Sequence, residues 1–433
     1  MKLFFCLFVL AGSLACAQQD SWNGSVLSPV NHELPDWLHL SGEYRVRAEG
    51  YEGGSYQPGN NQGYLLSRLQ LNLDAKISWF RVFAQMEDAR PLGNDAIPNA
   101  YPYKDSADLR QAFLELGNMN SGHFSVRAGR QELNFGEQRI LGSANWLNTP
   151  RTFDAVRAAV NYGKLRVDAF SASVVNPVDG TFDHHKAGED LHGLYGTISK
   201  VLPGATIEPY FLWHLGGGFK TEEGSPARRD NKTVALRINR KAGNALDYTA
   251  HFLRQYGHIG SDTISAYAIN LNAGYTIANA PLKPRLFVDY AYASGDKNAR
   301  DGRSNTFDQI YPSNHGLYGI VDLFGWRNLR DTKAGVELRP AKRLQLTGVT
   351  HSLYLANAHD GLYNGAGNLV VRKADGSAGT HLGQELEGTG MYAFTNYLSA
   401  GAGFGHLFRG QFVKEATKGS SYNISYLVIT YAF

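Results

Sequence analysis

Apolar and polar residues alternate along many stretches of about ten residues in this chain. In the stretch that begins at Leu38, Tyr44 and Val46 fall on one side of the backbone, while Arg45 and Arg47 fall on the other. The same period of two recurs at 68–74, 234–239 and 285–292. Because successive side chains of a β-strand point to opposite faces, this period predicts strands with one apolar and one polar face.

The connections between these stretches distinguish a water-soluble sandwich from a transmembrane barrel. Short connections, such as the one at 162–164, alternate with long ones. Long connections are predicted at 50–63, 90–106, 133–152, 176–189, 215–230, 295–330, 356–384 and 409–421. Outer-membrane barrels distribute short periplasmic turns and long extracellular loops in this way. The sequence therefore predicts an all-β protein, a transmembrane antiparallel β-barrel of about 18 strands with both ends on the periplasmic side.

The N-terminus has the pattern of a targeting segment. Lys2 precedes an apolar run that ends at Ala15, and small residues around Cys16 offer a cleavage site near Ala17. We expect residues 1–17 to be a signal peptide, 18–37 an N-terminal periplasmic segment, and 38–433 the barrel in an outer membrane of the Gram-negative type. Cleavage would remove both cysteines, Cys6 and Cys16. Lipid modification of Cys16 is the alternative.

The polar faces of the predicted strands carry many arginines. An arginine that faces lipid near the bilayer midplane costs about 2 to 4 kcal/mol, so we expect these faces to line a wet lumen. The arginines predicted to line the pore and bind anions are Arg45, Arg47, Arg68, Arg81, Arg127, Arg157, Arg166, Arg237, Arg285 and Arg339. Guanidinium contacts carboxylates in a planar, bidentate way, which favours carboxylate-bearing solutes. Acids on the same faces, such as Asp74 and Asp168, leave open a wall in which opposite charges only cross-link one another.

Other classes of function find little support in the sequence. Lys and Arg number 42 against 39 Asp and Glu, so no strongly basic face predicts a nucleic-acid partner. Asp183, His184 and His185 lack a spacing typical of metal ligands, and Gly216 to Gly218 lack the lysine of a phosphate-binding loop. Ser and His residues form no recognisable nucleophile and base pairing. We therefore expect no catalytic residues, no metal site, no cofactor and no enzyme activity.

One stretch, from Ala128 to Arg157, combines charge with turns. It contains GRQEL, a following G-x-x-R and the run W-x-N-x-x-R-T-F-D-x-V-R, and DLRQAFLEL precedes it from Asp108. These blocks, in this order, resemble the alginate-export family of outer-membrane β-barrels. The resemblance implies a monomeric barrel whose arginine-lined constriction passes a polyuronate, with Arg127 and Arg157 among the residues at the constriction.

The connection at 133–152 is the candidate constriction loop. A loop of this length can fold inward and narrow a pore, or it can pack as an external hairpin on the rim. Its candidate residues, with one from the preceding strand, are Arg130, Arg139, Trp146, Asn148 and Arg151. Trp146 offers an apolar face to a sugar ring. Strict alternation along the strand turns Arg130 outward.

These observations predict an outer-membrane channel for anionic solutes, most concretely an acidic polysaccharide or its oligomers. Two alternatives stay open: a general porin for small anions, and a non-conducting barrel whose loops at 295–330 and 356–384 bind a partner or a surface glycan. Besides the solute, the expected partners are outer-membrane lipid and the barrel-assembly machinery. That machinery commonly recognises a last strand that ends in an aromatic residue, here Phe433.

Overall fold

The computed structural model describes residues 25–93, 100–199, 201, 204–240 and 245–433, so the predicted signal peptide with Cys6 and Cys16 lies outside the described residues. Two short helices are α1 (Ser28–Glu33) and α2 (Gln411–Ala416). The strands are β1 (Leu38–Glu52), β2 (Gln62–Ile77), β3 (Phe80–Pro91), β4 (Asp105–Leu116), β5 (Phe124–Gln131), β6 (Phe153–Tyr162), β7 (Leu165–Asn176), β8 (His184–Ser199), β9 (Ala205–Lys220), β10 (Pro226–Arg240), β11 (Leu246–Ile259), β12 (Asp262–Thr276), β13 (Arg285–Ala293), β14 (Arg303–Ser304), β15 (Leu329–Ala341), β16 (Leu344–Leu355), β17 (Gly361–Tyr363), β18 (Leu369–Arg372), β19 (His381–Ala393), β20 (Leu398–Arg409) and β21 (Tyr422–Ala432). In the part of the chain that the structure describes, no helix is both long enough and apolar enough to cross a membrane.

Eighteen of these strands form one closed antiparallel barrel, which confirms the predicted fold class. Each barrel strand pairs with the next one along the chain, and β21 closes the barrel against β1, with Glu43 opposite Ala432. The last residue completes the seam, because Phe433 and Gly42 exchange two backbone hydrogen bonds of 2.6 and 2.9 Å. The three remaining strands, β14, β17 and β18, belong to the long connections.

The two faces of each barrel strand differ in the way that the alternation predicts. In β2, Leu71 is 44% exposed on the outside, whereas Arg68 is 1% exposed on the inside. In β10, Val234 is exposed while Arg237 is buried. Apolar side chains therefore form the surface that faces lipid, and charged side chains line the interior.

Two of the predicted long connections are wrong in length. The connection from β7 to β8 covers only 177–183, and the one from β9 to β10 covers only 221–225, because the strands extend into both predicted loops. Residues 184–188 at the start of β8 are all exposed. Where a hairpin extends into water, both faces tolerate polar residues, and the period of two disappears from the sequence.

The hydrophobic core lies inside the barrel and is built largely by its loops. Buried side chains come from the connections at 132–152, 294–328 and 410–421, and include Leu133, Ile140, Phe324, Trp326 and Phe412. Trp326 lies 6.2 Å, ring centre to ring centre, from His251 on the inner face of β11. The long outer connections therefore fold down into the lumen and pack there.

Candidate pore constriction and arginine cluster

The constriction loop, predicted at 133–152, spans residues 132–152 in the structure. It leaves the wall after β5 and returns at β6. Arg45 donates hydrogen bonds to the backbone oxygens of Asn145 (2.8 Å) and Leu147 (2.9 Å), and Arg68 donates to Asn145 O at 3.0 Å. Arg47 also donates to a carbonyl of this loop, that of Trp146. Three of the arginines predicted to line the pore therefore attach the loop to the inner wall of β1 and β2.

A glycine in the GRQEL motif shapes the strand from which this loop departs. Gly129 has a backbone φ of +122°, a value that residues other than glycine rarely adopt. A Cβ atom at this position would lie 2.3 Å from Ala112 O on β4. The motif therefore needs glycine there for the close approach of β4 and β5.

A second long connection, 294–328, packs directly on the constriction loop. Gly142 N donates to Tyr311 O (2.8 Å), Tyr311 N donates to Ile140 O (2.9 Å), and Ser313 N donates to Gln138 O (2.9 Å). The backbone segments around Leu141 and Tyr311 form a parallel β-bridge. The two connections therefore form one packed unit that narrows the lumen from within.

Two polar residues of the constriction loop fix its position by donating hydrogen bonds to backbone carbonyls. Asn148, which is almost fully buried, donates through its amide to the carbonyls of Ser67 (3.0 Å) and Tyr103 (2.9 Å). Arg151 donates to Gly142 O at 2.8 Å and to Pro312 O at 3.2 Å. Both contribute to the position of the loop, and their side chains are engaged with protein atoms.

Trp146 has both ring faces covered. The ring of His315 stacks on it in parallel, with 3.7 Å between the ring centres, and the guanidinium of Arg47 lies 4.0 Å from the ring centre. Two groups this close must occupy opposite faces. Tyr426 contacts the edge of the indole ring at 4.8 Å. A sugar ring would have to displace His315 in order to stack on Trp146.

Arg130 lies outside the lumen. It shares a face with the outward residues of β5, opposite Asp154 on β6, and binds that carboxylate with Nε 2.8 Å from Oδ1. Val156, two residues further along β6 on the same face, is 54% exposed. The structure thus places Arg130 on the outer face of the barrel, as the alternation of polar and apolar residues predicted.

Four arginines in the periplasmic half of the lumen share too few carboxylates. This arginine cluster consists of Arg81, Arg127, Arg157 and Arg166. Glu115 lies beside two of them, 2.9 Å from Arg127 Nε and 3.7 Å from Arg81 Nη1. Asp168 serves the other two, 3.0 Å from Arg157 Nε and 2.8 Å from Arg166 Nη2.

Counting charges gives this part of the wall a positive balance. Besides Glu115 and Asp168, Asp74 contacts Arg81, with Oδ1 2.7 Å from Nε. Four guanidiniums therefore contact three carboxylates, and a fourth acid beside them, Glu132, is paired with Arg110. Between 15% and 24% of each of these arginine side chains is exposed. The cluster combines net positive charge with access to water.

Aromatic rings position this cluster. The guanidinium of Arg127 lies 4.2 Å from the ring centre of Phe113, and that of Arg157 lies 4.8 Å from the ring centre of Phe135. A cation over an aromatic face is attracted by the electrons of the ring. A cavity of about 310 Å³ opens in front of these groups, lined by Arg81, Phe83, Gln111, Phe113, Arg127, Glu132, Asn134 and Arg157. The rings restrict the guanidiniums beside this open space.

The other side of the barrel has a different balance of charge. Arg285 lies between two carboxylates, 2.6 Å from Asp247 and 2.8 Å from Glu337. Arg339 is exposed near the inner end of β15, where its backbone N–H donates to Leu282 O at 2.7 Å. Arg285 therefore has two carboxylates that it shares with no other arginine, whereas the four arginines of the cluster share three.

Ion pairs also join the constriction loop to the opposite wall, formed by β10 to β13. Glu137 accepts from Arg237 Nη2 at 3.0 Å and from Thr249 Oγ1 at 2.7 Å, and Arg139 Nη2 lies 3.1 Å from Asp289 Oδ2. Burial alone would raise the pKa of Glu137, but Arg139, Arg237 and the hydrogen bond from Thr249 outweigh it and hold the pKa at about 2. The loop is thus attached by charge to both sides of the lumen.

Sequence reasoning missed the aromatic residues of these sites. Phe113 and Phe135 carry no signal of their own, since aromatic residues are frequent throughout the strands, and His315 lies far from Trp146 along the chain. The sequence also did not indicate which acid each arginine contacts. Alternation with a period of two predicts the face of the strand on which a side chain lies, but not the side chains beside it. The GRQEL block did mark the departure of the constriction loop.

These features define a class of protein, an outer-membrane channel for solutes, in which a closed barrel is narrowed by loops that fold inward. The chain belongs to the alginate export family, whose model matches residues 36–426. A comparison with curated protein sequences gives no match.

Solved barrels from Pseudomonas aeruginosa have the same fold. OpdO aligns with a TM-score of 0.61 at 13% identity, over 93% of this chain and 98% of its own. OccK2 (OpdF), in complex with glucuronate, aligns with a TM-score of 0.60 at 12% identity, over 92% and 98%. OpdK with vanillate aligns with a TM-score of 0.60 at 9% identity, over 91% and 98%. At these identities the similarity concerns the fold.

Proposed function

We propose that this channel passes carboxylate-bearing solutes, most concretely an acidic polysaccharide of the polyuronate type or its oligomers, by guiding them along the arginine cluster. The observation that carries the proposal is the sharing of acids: Glu115 serves Arg81 and Arg127, and Asp168 serves Arg157 and Arg166. Each guanidinium has five N–H donors in a fixed fork, so Arg127 and Arg157, which each contact one acid, keep donors for a passing carboxylate.

Because the cluster is partly exposed to water, it is better suited to the passage of a solute than to tight binding of that solute. Arg81, Arg127 and Arg157 line a cavity that opens to water, where the attraction between charges is screened. A conducting pore has to attract its solute strongly enough for entry and weakly enough for release. Four guanidiniums against three carboxylates give a modest positive field of this kind.

The solved barrels support a solute of this chemistry. Glucuronate and vanillate, named with OccK2 and OpdK, both carry a carboxylate. Membership of the alginate export family adds support for a polymer of uronate units. A general porin for small anions would use the same cluster and differ only in the size of solute admitted.

A second candidate is a non-conducting barrel whose loops bind a partner or a surface glycan. It is favoured by the packed unit of the constriction loop and the 294–328 connection, which fills part of the lumen with buried residues such as Leu133 and Trp326. Measurement of current separates it from a channel.

The test is single-channel conductance in a planar bilayer under a salt gradient, with an oligouronate then added to one side. We expect an anion-selective current that the oligouronate blocks and a neutral oligosaccharide of the same length does not. Absence of current would favour the binding barrel. Cation selectivity would mean that the acids of the lumen set the pore, and block by small carboxylates alone would favour the general porin.

A double variant tests the arginine cluster itself. Arg127→Gln with Arg157→Gln leaves two guanidiniums beside three carboxylates, so the reversal potential should move toward cation selectivity. Arg254→Gln is the matched control, because Arg254 lies on the outer face of β11 between the exposed Phe252 and Tyr256. Equal reversal potentials for the double variant and the wild type would contradict guidance by this cluster.

A further inference from the structure

Three aspartates meet at the extracellular end of the barrel wall, outside the arginine cluster. Asp105 and Asp108 lie at the start of β4, and Asp183 ends the connection from β7 to β8. One carboxylate oxygen from each lies within 4.8 Å of the other two, and all three residues are at most 5% exposed. The fold thus brings Asp183 to β4, whereas the sequence placed it only beside His184 and His185.

Among the described residues, Asp105 has no partner for its charge. Its Oδ1 is buried without a hydrogen bond, and no described residue forms a hydrogen bond or ion pair with the carboxylate. Asp108 Oδ2 is also buried without a hydrogen bond. A buried carboxylate is strongly unfavourable unless a cation or several donors compensate for its lost hydration. Asp105 Oδ1 therefore lacks the compensation that burial requires, and Asp108 Oδ2 has only Arg130 Nη1, at 3.8 Å.

The nearby basic side chains do not supply it. Arg130 is bonded to Asp154 at 2.8 Å and comes only within 3.8 Å of Asp108. Lys104 is paired with Asp179, with Nζ 2.8 Å from Oδ2. The three clustered aspartates and Asp154 thus share a single guanidinium, and the other basic group beside them, His185, lies 3.5 Å from Asp154.

We propose that Asp105, Asp108 and Asp183 bind one calcium ion. Calcium takes six to eight oxygen ligands at about 2.3 to 2.6 Å, so two ligands on opposite sides of the ion are about 4.8 Å apart. Three oxygens within 4.8 Å of one another therefore fit around a single ion. Water supplies the remaining ligands at this outer end of the wall. Magnesium, with ligands at about 2.1 Å, needs a tighter cluster.

The location explains what such an ion would do. Between β4 and β7, the strands β5 and β6 contain only 8 and 10 residues, since the constriction loop leaves the wall at Gln131 and returns at Phe153. This leaves a gap at the outer rim. The ion joins the start of β4 to the connection before β8 and so closes the rim above the point where the constriction loop turns inward.

Calcium titration of the full-length barrel tests the proposal. The protein is refolded from inclusion bodies into detergent, because lipopolysaccharide binds divalent cations itself, and is treated with a chelator before calorimetric titration with calcium chloride. We expect one site with a dissociation constant of about 0.1 to 1 mM, as in other extracellular calcium modules, and weaker binding of magnesium. Absence of saturable calcium binding in the wild type would overturn the proposal.

Variants locate the site. Asp105→Asn should weaken calcium binding by about tenfold or more, since affinity depends on the number of charged ligands. Asp179→Asn is the matched control: the carboxylate binds Lys104 and accepts from Ser106 N, and an asparagine oxygen can still accept from Ser106 N, so calcium binding should remain. Equal affinity of Asp105→Asn and wild type would place the ion elsewhere.

Thermal unfolding gives an independent readout. Millimolar calcium should raise the unfolding midpoint of the wild type and of Asp179→Asn, and should leave that of Asp105→Asn unchanged, because an ion stabilises only the state that binds it. Altered migration of unheated samples on gels shows which variants have folded. If Asp105→Asn does not fold, Asp183→Asn takes its place, and calcium should not raise the unfolding midpoint of this variant. A midpoint of Asp183→Asn that rises with calcium as in the wild type would contradict the proposal.

Discussion

Arg127 on β5 lies directly opposite Arg157 on β6, with both side chains on the lumen side of the wall. Like charges at directly opposed positions of an antiparallel pair destabilise a sheet. Each of the two shares its acid with a further arginine, Glu115 with Arg81 and Asp168 with Arg166. The pairing therefore reduces stability locally and raises the positive potential of the lumen at the same place.

Stability measurements on single variants can separate these effects. Arg157→Gln should change the free energy of unfolding by about 1 kcal/mol or less, because it removes a like-charge contact and Asp168 keeps Arg166. Arg285→Gln should destabilise the barrel by about 1 to 3 kcal/mol, because it leaves Asp247 and Glu337 without their shared partner. Urea unfolding in detergent measures both, and an equal loss in the two variants would contradict this account.

The arginines that hold the constriction loop should control pore size. In the double variant Arg45→Gln with Arg68→Gln, the carbonyls of Asn145 and Leu147 lose their guanidinium donors. We expect higher single-channel conductance and more current noise, since the loop is less firmly attached to β1 and β2. Arg254→Gln is the control, because Arg254 lies on the outer face of β11 and contacts Ser265 and Ala266 instead of the loop, so its conductance should stay near that of the wild type.

Attachment of the loop through Glu137 should depend on pH. The pKa of Glu137 is held at about 2, below its ordinary value of 4.5. A carboxylate with a lowered pKa contributes its full stability above the ordinary value and loses it as the pH falls toward the native one. Glu137→Gln should therefore lower the thermal unfolding midpoint at about pH 7, and the difference from wild type should shrink at about pH 3. A difference that is the same at both pH values would contradict this assignment.

The assignment of faces can be tested with a pair of neighbouring substitutions in β2. Leu71→Arg should destabilise the barrel by about 2 to 4 kcal/mol, because it places a charge on the lipid face near the middle of the strand. Asn72→Arg introduces the same side chain on the lumen face and should be better tolerated. Urea unfolding in lipid vesicles compares the two, and the reverse order would mean that the register is wrong.

The alternation of polar and apolar residues correctly predicted the faces of the barrel strands, but it predicted the ends of the strands less reliably. Leu71 and Arg68 lie on the faces that alternation assigned to them, and so does Arg130, which lies outside the lumen. The extended ends of β8 and β9 were missed, because β8 begins with residues exposed on both faces and β9 has Gly216 to Gly218 near its end, and neither carries a periodic signal.

The position of the constriction loop could not be derived in the same way. Trp146 contacts His315 and Tyr426, and Arg139 contacts Asp289, across separations of more than a hundred residues. No local pattern encodes contacts of this kind, since they depend on how the loops fill the interior. The sequence identified the residues of the loop, and the fold determined their neighbours.

By itself, the sequence determined the closed barrel, the number of its strands and the faces of their side chains, because alternation repeats along every strand and each repeat is local. Only the tertiary structure decided which charges neutralise one another. Arg285 meets two acids, whereas Arg127 and Arg157 face each other, although all three have the same place in the alternating pattern. The physical reason is that an ion pair depends on distances between strands, which the closure of the barrel and the packing of the loops alone establish.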